Sequence, residues 1–254
     1  MSNINDQKRQ IVIACQKLWQ RGLVANHDGN ISLKLGQNLI LATPTSFSKA
    51  DIKDTDLLQI DNSGKVIEGD HKVFSEISWH LAIYKVRPDI KCVVHAHPPV
   101  ASGFGLSGYE IGIPALPEAI VSLGSPILNT SFISPLDSST TFEIEFGRAL
   151  AQTDACIVPG NGVWAVGQTV EQAYLRLELV EQIAKQHLTA FTLGALNRLS
   201  SELVSELLMK RQKPGTREVN TVSNRPKFEV PPLDLTELKA IVRGELENII
   251  NLDS

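Results

Sequence analysis

Val93-Val94-His95-Ala96-His97-Pro98 is the stretch from which the fold of this chain is read. Val93 and Val94 close a short apolar, β-branched run that suits a strand, and Pro98 ends it by removing a backbone donor. Side chains on a strand alternate faces with period two, so His95 and His97 fall on the same side. Two imidazoles at that spacing suit a metal ion; the same pattern also fits two histidines satisfied by neighbouring polar groups. The segment upstream favours the metal. Ser75-Glu76 opens a helix-like stretch through Tyr84, Arg87-Pro88-Asp89 breaks it, and the strand follows. A carboxylate at that helix start, one loop from the two histidines, can complete a metal's ligand set.

Composition narrows the function classes. The chain has 254 residues, 43% of them hydrophobic, enough for one sizeable core or for one domain plus an extension. A net charge of −4, with no basic cluster denser than Met209-Lys210-Arg211-Gln212-Lys213, argues against a nucleic-acid partner. No run approaches the roughly 18 apolar residues of a membrane span. Residues 1–10 lack the basic-then-apolar order of a signal peptide, so the expectation is a cytoplasmic protein with no membrane partner. Cys15, Cys92 and Cys156 form no CxxC pair and sit in apolar runs, which predicts buried structural thiols.

Outward from the two histidines, the chain alternates short strands and helices. The apolar spacing of Ile11, Ile13-Ala14 and Leu18-Trp19 predicts a helix from about Ile4 to Arg21, stopped by Gly22. Asn26-His27-Asp28-Gly29-Asn30 is a turn cluster. Two hairpins follow: Ile31–Leu35 with Leu39–Ala42, and Leu57–Ile60 with Val66-Ile67. Thr43-Pro44-Thr45-Ser46 is a hydroxyl-rich loop between them. Pro98–Gly108 reads as a helix, whereas Pro114-Ala115-Leu116-Pro117-Glu118 is too proline-rich for regular structure and reads as a loop. Ile127–Thr130 suits a strand and Thr141–Gln152 a helix. Ala155–Val158 and Val163–Gly167 are apolar strands around Pro159-Gly160-Asn161-Gly162, a turn that lets backbone approach a ligand closely. Apolar spacing predicts helices over Thr169–His187 and Ser201–Arg211. A proline- and charge-rich arm, Lys213–Pro232, leads to a last amphipathic segment, Leu233–Leu252.

Asp28-Gly29-Asn30-Ile31-Ser32, Thr43-Pro44-Thr45-Ser46, Ser75-Glu76 with His80, Arg87-Pro88-Asp89 leading to His95-Ala96-His97-Pro98, and the later glycine-rich turn together resemble the class II aldolase/adducin family. The likeness is strongest to sugar-phosphate aldolases of the fuculose-phosphate type and spans roughly residues 5–195. It implies an α/β fold, a three-layer α/β/α sandwich on a mainly antiparallel sheet over residues 1–195, with residues 196–254 as a C-terminal helical extension. It also implies a homotetramer with sites between subunits. The family's metal site, carried over, gives His95, His97 and Glu76 as ligands, with Glu76 also the catalytic base. The remaining position, a histidine in the family, falls on Asn161. An amide oxygen is a weaker zinc donor than imidazole and suits harder ions, so zinc is the expected cofactor, with manganese, cobalt or iron open.

For substrate, the resemblance implies a small sugar or sugar phosphate held by Asn30, Thr45, Ser46, Ser75 and His27. Here Phe74 replaces a hydroxyl and Ser46 a glycine, while His27 stands where threonine is common. Losing the hydroxyl at Phe74 removes a donor and narrows the pocket; a cationic His27 compensates in part. Glu118 stands where fuculose-type enzymes carry a tyrosine acid, and is the second expected catalytic residue. His80, one turn beyond Glu76, is expected to make a structural hydrogen bond. The implied activity is a divalent-metal-dependent lyase cleaving a ketose, phosphorylated on the family pattern, through a metal-stabilised enediolate. Two alternatives stay open: a non-catalytic, adducin-like interaction protein, which Asn161 favours, and an epimerase or dehydratase of the same family.

Overall fold

The computed structural model describes residues 3–109, 111–134 and 137–211. Asn3 caps the first helix by accepting from the Asn5 amide at 3.2 Å. That helix, α1 (Ile4–Gln20), buries Ile11, Ala14, Cys15 and Leu18, the i, i+3, i+4, i+7 stripe of a single apolar face. Strand β1 (Asn30–Gly36) pairs with β2 (Leu39–Ala42), and β3 (Leu58–Ile60) with β4 (Val66–Glu68), so both expected hairpins form. Helix α2 (Ile77–Val86) begins two residues later than Ser75 and has Glu76 at its N-cap. Strand β5 (Cys92–Ala96) carries His95, and α3 (Pro99–Ser107) follows with proline in its first turn.

The next segment corrects the sequence reading. Pro114–Glu118 was expected to be an irregular loop, yet α4 (Pro117–Leu123) starts inside it, so Glu118 lies in a helical first turn. Proline at that position presets φ and forfeits only an amide that has no partner within the helix. The chain continues through β6 (Leu128–Asn129), α5 (Ser139–Ala149), β7 (Ala155–Val158) and β8 (Gly162–Gly167). Ser138 caps α5 through the Thr141 amide at 3.3 Å, which sets its start two residues early. Helix α6 (Val170–Leu193) runs past the expected stop at His187 until Gly194, at φ +114°, closes it. Helix α7 (Ser201–Arg211) packs on α4. The arm Lys213–Pro232 and the segment Leu233–Leu252 lie outside the described residues.

All eight strands join one sheet in the order β4-β3-β2-β1-β5-β8-β7-β6, antiparallel except for β6 with β7. Cys92, Val94 and Ala96 of β5 pack with residues of α1, α3 and α6 on one side. Val93 packs on the other, with Trp79 and Ile83 of α2 and Phe142 and Phe146 of α5. This is the expected three-layer sandwich. A strand covered on both faces reads as a continuous apolar run rather than an alternating one, which is why Cys92–Val94 shows no polar position. Alternation then places His95 on the α2/α5 side, the odd-numbered face of β5. Cys15, Cys92 and Cys156 are buried and free. Among the described residues no helix is long and apolar enough to cross a membrane.

Candidate active site

Three strands meet at the carboxyl end of β5. In the antiparallel register Asn30 stands directly opposite His95 on one side and Trp164 opposite it on the other. Two glycines allow the flanking chains to come this close. A Cβ at Gly29 would lie 2.9 Å from the His95 carbonyl oxygen, and one at Gly162 would lie 2.4 Å from that of Ala96. Both have positive φ, +73° in each case, so a side chain would be both strained and in collision there.

His95 and His97 meet as the sequence predicts. Their Nε2 atoms are 3.1 Å apart, and the His95 ring stacks on Trp164 with centroids 4.2 Å apart. His95 Nδ1 faces the Val163 carbonyl at 3.1 Å. A carbonyl can only accept, so Nδ1 carries the hydrogen. Burial first, and then the adjacent His97, hold the His95 pKa well below the ordinary histidine value, so the ring is neutral and Nε2 keeps its lone pair. A ligating histidine whose other nitrogen donates to a backbone carbonyl is the usual arrangement at metal sites. Two donors 3.1 Å apart also suit one cation with bonds of about 2.0–2.1 Å. The pair therefore fits a divalent metal.

Glu76 is held at the same end of the sheet. Its Oε2 accepts from Asn30 Nδ2 at 3.3 Å and from Ser75 Oγ at 3.0 Å. The other end of the Asn30 amide, Oδ1, lies 2.6 Å from His80 Nε2. His80 Nδ1 meets Ser32 Oγ at 2.7 Å, and Ser32 Oγ meets the Tyr84 hydroxyl at 2.8 Å. Burial pushes the His80 pKa down to about 3, so the ring is neutral. Since Asn30 Oδ1 can only accept, His80 donates from Nε2 and accepts from Ser32 at Nδ1. That tautomer fixes the orientation of the Asn30 amide, which in turn presents its NH₂ to Glu76. The structural role expected for His80 is met, and it acts on the site through Asn30.

The remaining expected residues divide. Asn161 sits in the β7–β8 turn, where its Oδ1 accepts from Trp164 Nε1 at 3.1 Å; an amide oxygen has a second lone pair free for another partner. The Thr45 amide donates to the Lys72 carbonyl at 3.0 Å, and Pro44 bridges to Val73, which brings the Thr43–Ser46 loop beside Ser75-Glu76. Ser46, at φ +64°, Ser75 and His27 are exposed. Phe74 points inward: it is buried, with its ring 4.8 Å from that of His80. It removes a donor as expected, but its bulk goes into the core. Glu118 is exposed and lines a groove of about 1030 Å³ with Arg21, Arg176 and Arg211 among its walls; neither imidazole lines that groove. Among the described residues no three His, Cys, Asp or Glu side chains are clustered to hold a metal.

Three participants escaped the sequence reading. Trp164 lies in an apolar strand and Ser32 in a half-polar one, and neither has a local signal. Lys49, in a polar turn, is 1% exposed, although lysine is among the residues least often fully buried. Its Nζ donates to the carbonyls of Phe47 at 3.1 Å and His27 at 3.3 Å.

Known proteins match this chain over the same region. The family profile described as "Class II Aldolase and Adducin N-terminal domain" matches residues 9–188. An L-fuculose phosphate aldolase of Methanococcus vannielii is 29% identical over 179 residues, covering 70% of this chain and 93% of that protein. A 5-deoxy-D-ribulose 1-phosphate aldolase of Bacillus thuringiensis serovar kurstaki is 25% identical over 213 residues, covering 84% and 98%. A solved structure named L-fuculose 1-phosphate aldolase superposes with a TM-score of 0.73 at 25% identity, covering 81% of this chain and 95% of that one.

Proposed function

This chain belongs to the class II aldolase and adducin N-terminal domain family, and from that membership we propose that it is a lyase, a sugar-phosphate aldolase that cleaves a ketose phosphate reversibly. The observation that carries the reading is the His95 Nε2–His97 Nε2 pair, 3.1 Å apart, with Glu76 held through Asn30, the residue paired with His95 across β1 and β5. His95 and His97 would hold a divalent metal, with Glu76 and Asn161 as the further donors and zinc as the leading candidate. Such a cation supplies Lewis-acid charge for the oxyanion that develops as the carbon–carbon bond breaks.

The chain's own residues do the rest. Glu76 moves the proton at the substrate carbon that becomes the nucleophile in the aldol direction. Asn30 and Ser75, by donating to one carboxylate oxygen, aim the other. Asn30, Thr45, Ser46, Ser75 and His27 receive the anionic end of the substrate. Glu118, which lines a separate groove of its own chain, serves the leaving aldehyde only if a second subunit carries it to the imidazole pair. A homotetramer with shared sites would meet that requirement.

The test is a metal-reconstituted screen of ketose 1-phosphates beside the free ketoses, read as aldehyde released. Cleavage confined to phosphorylated substrates, lost on chelation and regained with a divalent ion, is the expected result. A second reading, a non-catalytic interaction protein, is favoured by one observation, the amide at Asn161. Metal analysis separates them: equal, near-zero metal in the wild type and in a His95→Ala, His97→Ala double variant would overturn the enzyme reading.

A further inference from the structure

Lys49 is among the largest fully buried side chains of the protein, beside Trp79 and Trp164. It follows the Thr43–Ser46 loop in sequence, and its amine reaches back across that loop. With hydrogen bonds to the Phe47 and His27 carbonyls, one side chain ties together two loops. One carries Thr45 and Ser46; the other carries His27 and leads into Asn30. Asp28 and Glu76 act on Lys49 through space, and Lys49 in turn acts on His95. Burial pulls the Lys49 pKa down, while Cys15, Asp28 and Glu76 pull it back up. Burial makes charge on this amine costly, and the two carbonyl hydrogen bonds offset part of that cost.

Asp28 and Glu76 are both carboxylates at the edge of the loops, and an anionic substrate group approaching them is repelled. We propose that Lys49 is a positioning residue for the phosphate ester of the substrate, locking the His27 and Ser46 loops into one receptor and setting a positive charge behind it. This rests on the sugar-phosphate reading given above. Two of the three ammonium donors satisfy the loop carbonyls, and the amine lies within electrostatic range of both Asp28 and Glu76.

The experiment compares wild type, Lys49→Met and Lys49→Arg, all metal-loaded. Lys49→Met keeps the stem and removes the charge; it should raise KM for a ketose 1-phosphate by about tenfold or more, with a smaller fall in kcat, and weaken competitive inhibition by inorganic phosphate in parallel. The loss on the matching free ketose should be at least several-fold smaller, and Lys49→Arg should recover most of the phosphate dependence. Equal losses on both substrates, or none on either, would overturn the proposal while leaving the aldolase reading intact. If no ketose phosphate is cleaved at all, calorimetric titration of wild type and Lys49→Met with inorganic phosphate still decides the role of Lys49. Should Lys49→Met not fold, hydrogen exchange of wild-type residues 25–30 and 44–50 takes its place: slower exchange with inorganic phosphate supports the proposal, and unchanged exchange overturns it.

Discussion

Two buried polar clusters in this protein are built on opposite principles. Around Asp154, charges meet charges: Arg87 meets Oδ1 at 2.8 Å, while Arg176, at 2.6 Å, and Arg211 converge on Oδ2. Arg87 also donates to the Leu150 and Thr153 carbonyls and pairs with Asp89. These residues come from the end of α2, the start of β7, α6 and α7, so the cluster pins four elements. Around His95 the bonding is left open: two ring nitrogens face each other, Asn161 offers a spare lone pair, and Lys49 is met by carbonyls instead of carboxylates. Ion pairs drawn from four elements hold a fold, whereas unspent donor and acceptor capacity is what a ligand can use.

The sharpest way to break that contrast is at Glu76. Glu76→Gln is nearly isosteric, and should lower substrate carbon proton exchange and cleavage by about 10² to 10⁴-fold with the melting temperature little changed. Isotope exchange at the wild-type rate would remove Glu76 from the chemistry. Asp154→Ala should do the reverse. Removing the carboxylate that three buried guanidinium groups share costs on the order of 3–5 kcal/mol of stability, seen as a lower denaturant midpoint, and the protein that stays folded should keep its KM. A selective loss of activity there would erase the distinction between the clusters.

His80 gives a pH test of the open cluster's support. Its folded pKa, pushed down to about 3 from 6.5 by burial, lies below the unfolded value, so the unfolded chain takes up the proton first. Stability is then lost as pH falls from about 6.5 toward about 3, at up to about 1.4 kcal/mol per pH unit. His80→Gln should flatten that slope relative to wild type; parallel curves in urea titrations across this range would contradict a neutral buried ring. The smallest effect is expected at Asn161. Replacing the amide with imidazole, Asn161→His, should tighten zinc binding by about tenfold or more, and an unchanged dissociation constant would mean that residue 161 does not reach the cation.

Much of this architecture is legible along the chain, for local reasons. The HxH spacing put His95 and His97 together although β5 ends at Ala96, glycines marked the two turns that crowd β5, and the apolar spacing of Ile11, Ala14 and Leu18 marked α1, while Ile13 and Trp19 of the same reading are exposed. Where the reading failed, a local rule met a competing one. Proline reads as a breaker, but Pro117 starts α4 because helix entry is where its missing amide costs nothing. The expected stop at His187 gave way because Gly194 is the first residue able to close α6 in the left-handed conformation.

What the residues alone determined was the imidazole pair and the succession of strands and helices, since each depends on spacing a few residues long, while the three-layer fold followed from the family resemblance. The tertiary structure decided which lone pairs remain open. Asn30 faces His95 only because β1 and β5 pair in that register, and Glu76 is aimed only because His80, fifty residues from Asn30, fixes the amide between them. Lys49 shows the same division most plainly. In sequence it is a lysine in a polar turn, and nothing within several residues says that folding will seal its charge behind two loops. Burial is a sum over distant neighbours, so it is settled only when the whole chain has closed.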